Sequence, residues 1–320
     1  MTFLTGAKVL PDLIDEIADG LIGTPGGYWS DADTTWDTTD RTGDNARRAL
    51  KYENGTEKIY IALKSINTDN IIVYYRYNHA TDWDGRVAKG LQIIFSASWD
   101  SVNHEPAGSN MKGFVEFEAQ RYAWNKSLQT QADLASLLIT YYLWYDDSGF
   151  VITGKPEPHG NDDRQGSFLI CIERNPNKEY QDGFTNFVCL NTTNYMNHTH
   201  NSNYPNRNVI RPFAFDWDSG RVDGWTTEWN GLRQPSLSGY YAFKSVGNGK
   251  VYYVKPIAYN STDNKIPIFQ LENCFLWTES VGLVDGDVVA VEGATTKYLC
   301  KALDSPDTLN RLPFAIKYVA

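Results

Sequence analysis

The fold is decided by the stretch Tyr141–Asn175, which reads YYLWYDDSGFVITGKPEPHGNDDRQGSFLICIERN. It contains three runs rich in aromatic and β-branched residues, Tyr141–Tyr145, Phe150–Thr153 and Ser167–Glu173. Between the first two runs lies Asp-Asp-Ser-Gly, whose side chains bond their own backbone and whose glycine accepts a positive φ. Such runs, separated by turn residues, predict consecutive antiparallel strands.

The same pattern continues on both sides of this stretch. Upstream, strands are predicted at Lys58–Lys64, Asn70–Tyr77, Leu91–Ser98 and Gly113–Ala119, and the segment 134–144 is assigned to a strand at least from Ile139. Downstream, Phe184–Leu190 is another. From residue 239 to the end, short strands alternate with turns about every ten residues, which is typical of sandwiches and barrels.

One helix is predicted near the start of the chain. Over Ala7–Ile22 the apolar residues recur every three or four positions, and Gly23 follows as a left-handed cap. The polar and aromatic segment Tyr28–Arg48 is interpreted as an ordered arm, pinned by Trp29 and Trp36. The predicted class is therefore mostly β, with an antiparallel β-sandwich-like body, an N-terminal α-helix and a small C-terminal β module.

Three regions are expected. Residues 1–48 would hold the helix and the ordered arm, residues 49–235 the β-sandwich-like domain, and residues 236–320 a C-terminal β domain. The helix cannot bury its apolar stripe alone, and the last strand carries only Lys317 to protect an edge. We therefore expect copies of the chain to associate through both ends. The candidate interface residues are Val9, Leu13, Ile17, Leu21, Phe314 and Ile316.

Composition narrows the partners. The net charge is −10, which disfavours nucleic acid and anionic membrane surfaces. No apolar run approaches the length of a membrane span, and no signal peptide is expected. The chain has 4 cysteines, all in strand-like runs and none with CxxC spacing, and they are expected to be reduced, buried thiols. They are Cys171, Cys189, Cys274 and Cys300.

No catalytic motif with a defined mechanism is present, so the sequence predicts a protein that is not an enzyme and needs no cofactor. Two segments are candidate metal-binding sites. His198 and His200 lie on one side of an extended segment, and Asp216 and Asp218 begin a run like a calcium loop. That run has Arg221 where an EF-hand needs glycine. The favoured interpretation is therefore a polar loop for the two histidines and a tight Asx turn for the Asp-rich run, both without metal.

Three tryptophans form a further candidate site. Trp217, Trp225 and Trp229 would suit the stacking of sugar rings, and they would equally suit a subunit interface, where Trp and Tyr are enriched. We favour the interface.

Three stretches together resemble bacteriophage virion structural proteins. The segments Asp285–Gly293, Lys297–Cys300 and Leu312–Tyr318 resemble their closing β module, and Ser167–Arg174 resembles a strand of tail and baseplate proteins. The opening helix, Gly27–Ser30, Arg48–Tyr52 and Ile59–Leu63 resemble the N-terminal part of the same group.

The resemblance implies a non-enzymatic structural component of a phage particle, in the tail or baseplate. Such a protein would contact other virion proteins and copies of itself, and would reside in the virion after synthesis in the host cytoplasm. The alternative is a carbohydrate-binding module of a tail tip that recognises host surface glycan.

Overall fold

A computed structural model of the chain describes residues 1–36, 46–66, 72–76, 83–119, 134–157, 168–176, 186–193, 209–212, 232–233, 243–248, 250–252, 257–260, 267–277, 282–303 and 312–319. Within these ranges the chain forms one helix and a series of antiparallel strands.

The elements follow one another in this order: β1 (Thr2–Val9), α1 (Leu10–Ile22), β2 (Trp29–Asp31), β3 (Arg47–Asn54), β4 (Glu57–Ile66), β5 (Ile72–Arg76), β6 (Trp83–Asp100), β7 (Glu105–Ala119), β8 (Leu138–Asp146), β9 (Gly149–Pro156), β10 (Phe168–Arg174), β11 (Phe187–Thr193), β12 (Val209–Pro212), β13 (Leu232–Arg233), β14 (Phe243–Lys244), β15 (Val251–Tyr252), β16 (Ile257–Asn260), β17 (Pro267–Gln270), β18 (Cys274–Leu276), β19 (Val288–Ala290), β20 (Lys297–Leu303) and β21 (Leu312–Tyr318).

The stretch that decides the fold forms the centre of a six-stranded antiparallel sheet, sheet A, in the order β1-β8-β9-β10-β11-β12. The turn between β8 and β9 has the expected chemistry. Asp146 accepts hydrogen bonds from the backbone N–H and the hydroxyl of Ser148, at 2.7 and 2.6 Å, and Gly149 has a φ of 139°. The predicted strands at 139–144 and 150–153 are confirmed, and the third is confirmed from residue 168 to residue 173.

A second sheet, sheet B, has the order β2-β3-β4-β6-β5, and β7 also pairs with β6. In each strand every second side chain points toward the opposite sheet, and these side chains form the main core. Ile152 and Ile170 of sheet A meet Ile61 and Phe95 of sheet B in this core. The body is therefore an antiparallel sandwich, as predicted.

A third layer covers the outer face of sheet A. Sheet C has the order β18-β21-β20-β19, and it contributes Phe314 and Ile316 to a second core against Trp144 and Leu169 of sheet A. Because sheet A is covered on both faces, β9 and β10 read as nearly continuous apolar runs. Two smaller sheets, β13-β16-β17 and β14-β15, complete the described strands.

The helix begins later than the sequence predicts. Ala7–Val9 belong to β1, and α1 starts at Leu10, with Pro11 in its first turn, where a missing N–H costs nothing. Val9 fits the four-residue period of Leu13 and Ile17, but it pairs with Leu138 of β8 and so belongs to β1. Gly23 ends the helix in the right-handed region, with φ −75°, so the predicted left-handed cap is wrong.

The candidate interface residues lie inside the chain. Leu13, Ile17 and Leu21 pack in the main core between the sheets, and Phe314 and Ile316 pack between sheets A and C. All five are at most 1% exposed, so none can contact a second copy, and their assignment to a subunit interface is wrong. Val9 is half-buried at the end of β1.

The predicted boundaries do not separate folding units. β1 pairs with β8 over its whole length and β2 pairs with β3, so the first 48 residues are part of the sandwich. At the other boundary, β13 (Leu232–Arg233) pairs with β16 (Ile257–Asn260), which joins residues from both sides of position 235.

Candidate functional site

The outer face of sheet B carries a small apolar cluster with a buried carboxylate beside it. The cluster consists of Trp36, Ala49, Ala62 and Ile94, with Trp99 packed against it. Small residues on the outer face of β3 and β4 leave room for the two indole rings, whose centroids are 5.1 Å apart. The two rings cover Asp33, whose side chain is fully buried.

Asp33 is held by four donors. Its Oδ1 accepts hydrogen bonds from the Thr35 hydroxyl at 2.9 Å and from the Trp36 backbone N–H at 3.1 Å, and its Oδ2 accepts one from the Trp99 indole N–H at 3.0 Å. The fourth donor is His104, whose Nδ1 lies 2.7 Å from Oδ2. Burial raises the pKa of Asp33, but the hydrogen bonds from His104, Trp99 and Thr35 outweigh it and hold that pKa below its ordinary value.

His104 occupies a constrained position in the turn from β6 to β7. Asp100 builds this turn by accepting the backbone N–H groups of Val102 and Asn103, at 2.8 and 3.2 Å. His104 follows with a φ of 57°, the only positive value outside glycine among the described residues, and its ring lies parallel to that of Trp36. Non-glycine residues in this region are uncommon and concentrate at functional sites.

The chemistry of this site follows from its acceptor. A carboxylate can only accept, so His104 donates its Nδ1–H to Asp33, which leaves Nε2 for a different partner. The structure records no hydrogen bond to Nε2 within the described ranges. Nε2 can thus form a hydrogen bond with a ligand, and the pair fastens the β6–β7 turn to residues 33–36.

A second polar cluster lies between sheets A and C. Glu173, at the end of β10, is fully buried and accepts the backbone N–H groups of Glu272 and Asn273, at 2.6 and 3.2 Å. The Asn273 side chain donates a third bond at 2.7 Å and the Cys171 thiol a weak fourth at 3.5 Å. Burial dominates and raises the pKa of Glu173 to about 7, because these donors offset only part of the lost hydration.

A third polar contact joins the two sheets of the sandwich. Arg174, the arginine that ends the SFLICIER strand, makes a bidentate pair with Glu57 of β4, with its Nε and Nη2 at 2.5 and 2.9 Å from the carboxylate oxygens. Asn186 donates a further hydrogen bond to the same carboxylate. The hydrogen bond from Arg174 is the main reason why the pKa of Glu57 lies below its ordinary value. Planar bidentate pairs of this kind fix orientation as well as charge.

The helix is tied to sheet B by one arginine. Arg48 of β3 contacts Asp15 and Asp19 of α1 and Asp31 of β2, at 3.3, 3.0 and 2.8 Å. These contacts reach across the rim of the core, so they orient a helix whose attachment comes from its buried apolar stripe.

The glycan and metal candidates lie outside the described residues. This holds for Trp217, Trp225 and Trp229, for His198 and His200, and for Asp216 and Asp218. Their roles remain predictions. Among the residues that the structure describes, no three His, Cys, Asp or Glu side chains are grouped so as to hold a metal ion. No helix in these ranges is long and apolar enough to cross a membrane.

Sequence reasoning missed the Asp33–His104 pair and the Glu173 cluster. Asp33 and His104 are 71 positions apart, and Glu173 and Asn273 are 100 apart, so no local motif links them. One signal was available for Glu173, because a lone acidic residue ends an otherwise apolar strand run, LICIE. A charge in such a place is buried only when it is hydrogen-bonded.

Comparison of the chain with protein-family models, curated proteins and solved structures finds no match.

Proposed function

We propose that this chain is a non-enzymatic structural component of a bacteriophage particle, in the tail or baseplate, which assembles through contacts with other virion proteins and with copies of itself. The proposal rests on the resemblance of three stretches to virion proteins and on one structural observation, the exposed edge of β1. Under this proposal the chain resides in the virion.

The observation concerns the end of sheet A. β1 is the outermost strand of this sheet, so within the described residues one of its edges has no neighbouring strand. It has 8 residues, pairs with β8 without a bulge, and exposes Thr5, Gly6 and Ala7. An edge of this kind presents backbone N–H and C=O groups that another strand can pair with.

The devices that normally protect such an edge are weak in β1. It is neither short nor bulged, and it contains no proline. Its single lysine, Lys8, is held by Glu16 of the helix, with 2.7 Å between Nζ and Oε1. Its charge is therefore partly neutralised, and an added strand would meet little repulsion along β1.

A charge-insertion experiment tests assembly through β1. The variant Ala7→Lys places a cation on the exposed edge, and Val102→Lys places one on an exposed turn of sheet B. In light scattering coupled to size exclusion, we expect the unmodified chain and Val102→Lys to exceed the 36.2 kDa of one copy, and Ala7→Lys to approach it. A wild-type chain that stays at this mass at the highest attainable concentration contradicts self-assembly.

The particle itself provides an independent test. Phage particles banded on a density gradient, from the host that makes this chain, can be analysed by peptide mass spectrometry. We expect peptides of the chain in the particle band in fixed proportion to the other virion proteins. Recovery of the chain only from the unsedimented lysate would refute a role in the virion.

A further inference from the structure

Two cysteines from different layers meet between sheets A and C. Cys171 lies on the outer face of β10 and Cys274 begins β18, 103 positions later in the chain. Both thiols are buried in the second core, and Cys274 is near enough to Cys171 to act on the pKa of its thiol. The structure records them as free thiols.

The backbone around this pair is clamped from both sides. Glu173, two residues after Cys171 on the same face of β10, accepts the N–H groups of the two residues that precede Cys274. One carboxylate therefore fixes the distance between β10 and the start of β18. The backbones of the two strands that carry the cysteines are also held by sheet pairing, since β10 pairs with β9 and β11, and β18 pairs with β21.

We propose that Cys171 and Cys274 are a dithiol site whose oxidation forms a disulfide that fastens sheet C to the sandwich. This modification site is independent of assembly through β1. The oxidant class is a peroxide. One partner lies in the middle strands of sheet A and the other in sheet C, so the bond would add a covalent link between two layers that pack against each other.

The reaction balances with hydrogen peroxide. The sulfur of one cysteine attacks a peroxide oxygen, the O–O bond breaks, and a sulfenic acid and one water form. The second thiol then attacks the sulfenic sulfur, the S–O bond breaks, and a second water leaves. Both sulfurs are oxidised and the peroxide is reduced, and the two thiol protons leave in the two waters. Glu173 lies where it can receive the proton of Cys171, since its Oε2 accepts from that thiol.

The surroundings keep the reduced pair inert until an oxidant enters. Burial, the contact with Cys274 and the charge of Glu173 all raise the pKa of the Cys171 thiol well above its ordinary value. The thiolate is the reactive form, so attack on the peroxide is slow at neutral pH. Cys300 provides an internal control, since it is buried in a different cluster beside Trp277.

The test is peptide mapping after oxidation. The folded, reduced full-length protein is treated with hydrogen peroxide, quenched, denatured in iodoacetamide and digested without reductant. We expect one cross-linked pair of peptides that contain Cys171 and Cys274, lighter than the two thiol peptides by two hydrogen atoms and lost on reduction. The urea midpoint of the oxidised protein should rise, and Cys300→Ser should leave both results unchanged.

Variants separate this site from random oxidation. Cys171→Ser and Cys274→Ser should each abolish the cross-link and the shift of the midpoint, and Cys171→Ala serves if the serine variant does not fold. Full alkylation of both cysteines after peroxide treatment would overturn the proposal. Cross-links of equal yield that involve Cys189 or Cys300 would overturn it as well, because they would show pairing in unfolded chains.

Discussion

Replacement of Glu173 by glutamine should change the way in which stability depends on pH. Glu173 is buried between sheets A and C, where burial raises its pKa to about 7 from an ordinary 4.5. Glutamine has almost the same shape and cannot titrate. Its oxygen can accept the Glu272 N–H, while its NH₂ group faces the donors of Asn273, so the overall level of stability will also shift. The informative quantity is therefore the slope of stability against pH.

The sign and the size follow from linkage. A carboxyl whose pKa is raised on folding binds its proton more tightly in the native state, so its contribution is fully present below pH 4.5 and is lost as the pH rises through 7. Each unit by which the folded-state pKa exceeds the unfolded-state pKa is worth about 1.4 kcal/mol, so the total contribution to stability is about 3 kcal/mol. Asp33 and Glu57 have lowered pKa values, so their effects fall at lower pH.

Urea denaturation from pH 5 to pH 8.5 measures the effect. We expect the free energy of unfolding of the wild type, relative to Glu173→Gln, to fall by about 2–3 kcal/mol across this interval. Glu157→Gln, at an exposed carboxyl just after β9, should run parallel to the wild type. Parallel curves for wild type and Glu173→Gln would refute the assignment of a neutral, buried acid between the layers.

Four further results are expected. Gly149→Ala should destabilise more than Gly55→Ala, because both glycines have positive φ but only the Cβ at 149 would meet a backbone oxygen, at 2.1 Å; urea midpoints compare them. Leu13→Ala should cost about 2–5 kcal/mol of unfolding free energy without changing the mass in light scattering. Asp33→Asn should cost about 1–3 kcal/mol, with faster exchange of the Trp99 indole proton in NMR, because its NH₂ group opposes two donors. Glycan-array binding that Trp225→Ala abolishes would favour the carbohydrate-binding alternative.

The strands could be predicted because their signals are local. The turn Asp146–Gly149 and the apolar runs around it decide β8, β9 and β10 without help from the rest of the chain. The helix was also found, but its start was not. The residues before Leu10 continue an apolar period that fits a helix, and pairing with β8 draws them into a strand instead. Tertiary pairing outweighs local preference at such a boundary.

The sites could not be predicted because their members are far apart in sequence. Glu173 and Asn273 lie in two different strand-like runs, and only the packing of sheet C on sheet A brings them together. The same applies to the two interface candidates in β21. Phe314 and Ile316 are apolar enough for an interface, and only the fold shows that sheet A is the surface they cover.

The two ends of the chain meet on the side of the body where β1 is exposed. The ring of Phe3 in β1 packs edge-on against Tyr318 of β21, with centroids 5.0 Å apart, and the Lys317 ammonium lies 4.9 Å from the ring centre of Trp144 in β8. Sheet C therefore rests on the strand pair that ends sheet A, as well as on Glu173 further inside. A strand added to β1 would extend the sheet beneath sheet C, so assembly should protect the amides of β21 from hydrogen exchange along with those of β1. Protection confined to β1 would show that the third layer moves independently of the edge.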